Sequence, residues 1–197
     1  MTTALPRVVH AIDHNGLRSA RGYTLIEILI VVSIGITLAA TAVPISTQFI
    51  SRSKSDGVVE ETVAALNKAQ SRAVAERRNM RISFVGNNRL VIERLELTAG
   101  GITPISDTPL TGSHEFAKFS IPDTPDHFGN SSATTFSGTA PYMFTSDGSL
   151  IDSNGDVVNG TIFIGIPGQV DSARAITVFG VTGLMRTWKW RGNGWFN

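Results

Sequence analysis

Hydrophobic and polar positions follow three successive regimes along the 197 residues. Over residues 23–50 apolar side chains fall on every side of a helical projection, and Glu27 is the only charge. A bilayer core is crossed by about 20 apolar residues, so this stretch has the length of a membrane span. Gly35 and Pro44 interrupt it, residues that kink or loosen a membrane helix and require local compensation. After Ser51-Arg52-Ser53-Lys54 the pattern becomes one-sided: Val59, Val63, Leu66, Ala69, Ala73 and Val74 recur at spacings of three and four, with Glu60, Glu61, Asn67, Lys68, Ser71 and Arg72 between them. This predicts that the helix continues to about Asn79 and lays an apolar stripe on a folded body.

Beyond Asn79 the period drops to two. Residues 80–85 and 89–97 flank Gly86-Asn87-Asn88, a hairpin signal because Gly and Asn accept the positive φ of tight turns. The Thr-, Gly- and Pro-rich stretch 98–112 reads as a loop, and short strands are expected at 114–121, 142–145, 161–166, 173–179 and 184–190. The expected fold class is α+β. A long N-terminal helix, membrane-spanning over 23–50 and amphipathic over 51–79, packs on a β-rich head over 80–197 made of two small antiparallel sheets.

Glu27 is the residue that this layout does not explain. An ionised carboxylate inside an apolar span costs about 2.5 to 3.5 kcal/mol on insertion, so such an acid needs a positive partner. The residues before it, Arg21-Gly22-Tyr23-Thr24-Leu25-Ile26-Glu27, followed by the long apolar run, resemble the class III signal of type IV prepilins and type II secretion pseudopilins. The resemblance implies that a prepilin peptidase cuts between Gly22 and Tyr23, removing a leader of residues 1–22, and N-methylates Tyr23. Glu27 would then neutralise the new terminal amine of a neighbouring subunit during filament assembly, where an unpaired charge in a low-dielectric core is expensive. Two plainer readings compete. A secretory signal has a basic start, an apolar stretch of about 7 to 15 residues and a small-x-small cleavage site, which Ala40-Thr41-Ala42 supplies, giving a mature chain starting near Val43. The apolar run is too long for that, and a plain membrane anchor leaves Glu27 and the Gly22-Tyr23 junction without a role.

Composition narrows the choice further. Hydrophobic residues make up 42% and charged residues 17%, which describes a chain able to fold, and the absence of cysteine excludes a disulfide framework or a thiolate metal site. The leader contains Arg7, Arg18 and Arg21 against Asp13, so its removal takes the 17 basic and 16 acidic residues to 14 and 15. A net charge of −1 gives no global basic field for nucleic acid. The leader's arginines fit a cytoplasmic start, although Arg52 and Lys54 on the far side weaken the charge asymmetry.

The C-terminal half is similar to the GspH/FimT group of minor pilins and pseudopilins. An aromatic strand ending in a Gly turn and a closing hairpin are echoed by Phe144-Thr145-Ser146-Asp147-Gly148 and by the run from Ala175 through Gly180 and Gly183 to Arg186. The resemblance implies a structural subunit at or near the tip of a type II secretion pseudopilus or type IV pilus. It also implies other pilin or pseudopilin subunits and an inner-membrane assembly platform as partners, and a single-pass inner-membrane location with the head in the periplasm.

Few residues suggest other chemistry. Asp147-Gly148 and Asp152-Ser153-Asn154-Gly155-Asp156 look briefly like a calcium loop, but Val157 stands where an EF-hand needs Gly and Phe163 where it needs Glu, so hairpin turns are expected. His10 and His14 leave with the leader, and His114 and His127 belong to no catalytic motif. No enzymatic activity, cofactor or metal is expected. The run Arg186-Thr187-Trp188-Lys189-Trp190-Arg191 interleaves cations and aromatics; as a strand it places Arg186, Trp188 and Trp190 on one face and Thr187, Lys189 and Arg191 on the other. Three readings follow: packing of the tryptophans in the head, a filament or secretion-partner contact, or DNA binding. Some FimT-type members resemble DNA receptors through a C-terminal Gly-Arg-x-Arg; here Gly183-Leu184-Met185-Arg186 replaces the first Arg with Leu184.

Overall fold

The computed structural model describes residues 22–98 and 100–197, with no side-chain placement at 41–49 and 51. The expected leader therefore lies, but for Gly22, outside the described residues. The chain divides into two compact units, Met1–Pro44 and Ile45–Asn197.

Helix α1, Leu25–Glu76, opens in the first unit. Thr24 caps it: the Glu27 amide donates to the Thr24 carbonyl (3.1 Å) and to its side-chain oxygen (3.3 Å). The Ser33 and Thr37 hydroxyls donate to the carbonyls of Leu29 (2.7 Å) and Ser33 (2.8 Å). These polar side chains are thus satisfied within the helix. Among the described residues no helix is long and apolar enough to cross a membrane. The side chains 41–49, which make up much of the second half of the expected span, lie outside them.

In the second unit the buried stripe of α1 comprises Val59, Leu66, Ala69 and Ala73 of the expected residues, with Val58 and Thr62 beside them and Val63 only partly buried. Val74 is not part of it and is 47% exposed, because it lies about 100° round the helix from Ala73. The helix stops at Glu76, three residues before the expected end, where Arg77 adopts φ 51° and the Arg78 amide bonds back to the Ala73 carbonyl.

Two antiparallel sheets follow. The first has the order β3-β2-β1-β6-β7, built from β1 (Met80–Val85), β2 (Arg89–Leu95), β3 (Ile102–Pro109), β6 (Tyr142–Phe144) and β7 (Leu150–Ile151). The hairpin β1–β2 turns at the expected residues and pairs Met80 with Arg94 through Val85 with Arg89. Strand β3 corrects the reading of 98–112 as loop. Its two prolines lack amide donors, which suits an edge strand, and the register shift opposite Ile92 and Glu93 leaves Ile105 between Pro104 and Ser106 as a bulge.

The second sheet has the order β11-β10-β9-β8-β4, with β4 (Glu115–Phe116), β8 (Gly160–Gly165), β9 (Arg174–Phe179), β10 (Leu184–Trp190) and β11 (Trp195–Phe196). Strand β5 (Thr134–Phe136) pairs with the first half of β8, beside β4 on the second half. The expected strand 114–121 is cut to two residues: the Ala117 amide still bonds to the Phe163 carbonyl of β8 at 3.2 Å, and beyond it the chain leaves the edge and crosses the outer face of this sheet. Phe119 there joins Phe163, Ala173, Ala175 and Trp190 in a second apolar cluster, while Ile162, Ile164, Ile176 and Val178 face α1 in the main core. Both faces of β8 are thereby covered, which explains its unbroken burial without alternation.

One side chain ties helix and sheets together. Gln70 Nε2 donates to the carbonyls of Gly148 and Thr182, each at 2.9 Å, and so joins the β6–β7 and β9–β10 turns to α1.

Candidate functional site

The sequence singled out two regions, and the structure treats them differently. In the first, Gly22 and Tyr23 precede the helix and Tyr23 is 78% exposed, so the bond between them is open to solvent. Glu27 occupies the third helical position after the Thr24 cap, where an acid also suits the positive end of the helix dipole. Around it every large apolar side chain over 25–38 is at least half exposed, on all sides of the helix. Full burial of such a side chain is worth about 1.5 to 3 kcal/mol relative to full exposure, and each of these still has about half of that or more to gain. A helix apolar all round is one that is covered, by lipid or by protein.

The second region is the C-terminal strand. The expected alternation along β10 holds, and most of its charge is neutralised within the head. Arg186 Nη1 lies 2.9 Å from Asp126 Oδ1, whose side chain is nearly buried, and the guanidinium stacks 4.7 Å over the Phe179 ring. Trp188 Nε1 donates to Asp126 Oδ2 (3.2 Å) and to Thr177 Oγ1 (3.1 Å), and Thr177 donates to the same carboxylate at 2.6 Å. Trp190 packs edge-on to Trp195 at 5.4 Å inside the outer cluster. On the opposite face Lys189 Nζ reaches Asp56 Oδ2 of α1 at 3.2 Å, and only Arg191 extends outward, 5.2 Å over the Phe196 ring. The two tryptophans are packing residues, and Arg186 and Lys189 already have carboxylate partners.

Asp126 and Asp56, which organise this strand, carry no signal in the sequence, because their partners lie 51 to 133 residues away. Asp56 also accepts from Arg174 Nε at 2.7 Å. The Arg174 side chain is only 5% exposed, and three more of its donors reach the carbonyls of Arg52, Asp171 and Ala173. Burial alone would raise the Asp56 carboxyl, but the hydrogen bonds and charges of Arg174 and Lys189 outweigh it and hold the group below the usual carboxylate range.

The remaining candidates are structural. Asp152 accepts from the amides of Thr139 (3.1 Å), Asn154 (2.8 Å) and Asp156 (3.0 Å), and bonds chiefly from Thr139 lower its pKa. Asp147 is held down to about 2, first by the Thr145 hydroxyl and then by Ser149. These oxygens build turns. Buried His114 faces the Thr111 carbonyl through Nδ1 and Ser55 Oγ through Nε2, both at 2.9 Å. A carbonyl only accepts, so Nδ1 carries a proton.

The chain matches no protein-family model and no curated protein. Among solved structures it is similar to the type IV minor pilin FimU of Pseudomonas aeruginosa in two crystal forms. One has 18% identity over 67% of this chain and 90% of that chain with a TM-score of 0.45, and the other 17% over 76% and 97% with 0.48. It is also similar to the minor pseudopilin EpsH from the Type 2 Secretion System of Vibrio cholerae, with 14% identity over 69% of this chain and 97% of that chain and a TM-score of 0.48.

Proposed function

We propose that this chain is the precursor of a minor pilin or pseudopilin, cut after Gly22 by a prepilin peptidase, methylated at Tyr23 and inserted into a filament by its apolar helix. The observation that carries this reading is a helix start apolar on every side, with one carboxylate, Glu27, one turn inside it. Lipid covers such a surface before assembly, and neighbouring helices cover it afterwards. Glu27 then meets the terminal amine of the next subunit. In this reading the protein is a substrate of the peptidase and not an enzyme, its head faces the periplasm, and the inner-membrane platform adds it to a secretion pseudopilus or a pilus. The DNA-binding alternative draws less support, because two of the three cations it would use are paired with Asp126 and Asp56.

N-terminal sequencing of the protein extracted from its native envelope tests the processing step. The expected first residue is methylated Tyr23; a start near Val43 or an intact leader overturns the reading.

A further inference from the structure

Beside the outer cluster, a groove of about 450 Å³ in the second unit is lined by Arg52 and Asp56 of α1, Arg174 of β9, Lys189 and Trp190 of β10, and Arg191. Four cations thus face one carboxylate. Asp56 is already shared by Arg174 and Lys189, and Asp171 lies 3.5 Å from Arg52 at the rim, in a pair more than half exposed on both sides. Arg174 uses four of its five N–H donors within the head, but Arg52, Arg191 and the unused donors of Lys189 leave a positive surplus with room for an anion. Two further facts indicate its source. Arg52 follows the end of the apolar stretch at Ile50 by two residues, so in a membrane-inserted chain this groove begins at the depth of the lipid headgroups. Arg191 stacks on Phe196, which is 44% exposed and so leaves an apolar ring beside a cation of the groove.

We propose that the groove formed by Arg52, Lys189 and Arg191 seats the phosphate of an anionic phospholipid and holds the head against the membrane surface before the subunit enters a filament. The inference rests on the membrane-inserted precursor proposed above. Surface cations near an anionic leaflet each add attraction that falls off within a Debye length, so the groove selects for headgroup charge, not for the acyl chains.

The test uses the full chain in detergent micelles, with lipid retention read by native mass spectrometry. Phosphatidylglycerol is expected to be retained over phosphatidylcholine by about tenfold, and Arg52→Ala with Arg191→Ala should bring the ratio close to one. Both side chains are exposed, so the double variant should keep the wild-type melting temperature. Equal retention of the two lipids by the wild type, or a preference that survives the double variant, overturns the proposal. So does displacement of the lipid by millimolar inorganic phosphate, which marks a free-anion site. A double variant that assembles poorly with an unchanged lipid ratio assigns the groove to an acidic neighbouring subunit instead. A chain that stays in the aqueous phase during detergent phase separation ends the membrane reading itself. One that enters the detergent phase without lipid preference ends only this inference.

Discussion

Glycine at 183 is set by contact as much as by conformation. Its φ is +62°, and a Cβ there would lie 2.1 Å from Gln70 Nε2 and 2.5 Å from the Gly148 carbonyl oxygen. Any side chain would push the two turns off the helix, where Gly148 and Gly183 meet at one glutamine. Gly183→Ala is expected to cost about 1 to 3 kcal/mol from backbone strain and the clash, read as a lower urea midpoint with an unchanged slope. The Asp56 carboxylate has a comparable structural role. Asp56→Asn leaves buried Arg174 without its counter-charge. Breaking such a pair costs about 3 to 5 kcal/mol, with the low end expected here because Asp56 is about one-third exposed. Thermal unfolding of this variant against wild type checks it, and an unchanged melting temperature would mean the pair contributes nothing.

Turns between strands depend on ionised carboxylates in the same way. Asp147 accepts its hydrogen bonds within the β6–β7 connection, Asp152 accepts from Thr139 before β6 and from the β7–β8 connection, and with Asp56 all three are held below their ordinary value of 3.8. A lowered folded pKa means that the unfolded chain takes up protons first. Their contribution is therefore complete above about pH 5 and lost as pH falls through 3.8 toward 2. Melting temperature measured across that window should fall with acidification, and Asp147→Asn should make the fall shallower. Elements with strong local signals were legible beforehand: β1, its turn and β10 lie at the expected residues, since alternation and turn chemistry are properties of neighbours in the chain. Strands β3, β5, β7 and β11 were not, being short or proline-bearing segments that become strands only because a partner edge is present to bond them.

For the assembled protein, the local role of Glu27 has to be separated from its proposed intermolecular one. A glutamine can replace glutamate at the third position after a Thr cap, but it carries no charge. Glu27→Gln is therefore expected to insert into the membrane normally and to lose most incorporation into sheared filaments, measured against wild type by immunoblot. Normal incorporation would show that capping, and not charge pairing, is what the residue supplies. The apolar start, the lone acid within it, the one-sided helix that follows and the β-rich head are all legible in the chain itself, because each is written as a periodicity or a cluster of adjacent residues. The fate of the basic and aromatic strand was not legible. Whether Arg186 and Lys189 offer charge to a partner or spend it internally depends on Asp126 and Asp56, carboxylates far away in sequence that folding brings within about 3 Å. Likewise the groove beside Arg52 exists only where α1, β9 and β10 converge. Electrostatic pairing depends on distance in space, and distance in space is settled only by the packed fold.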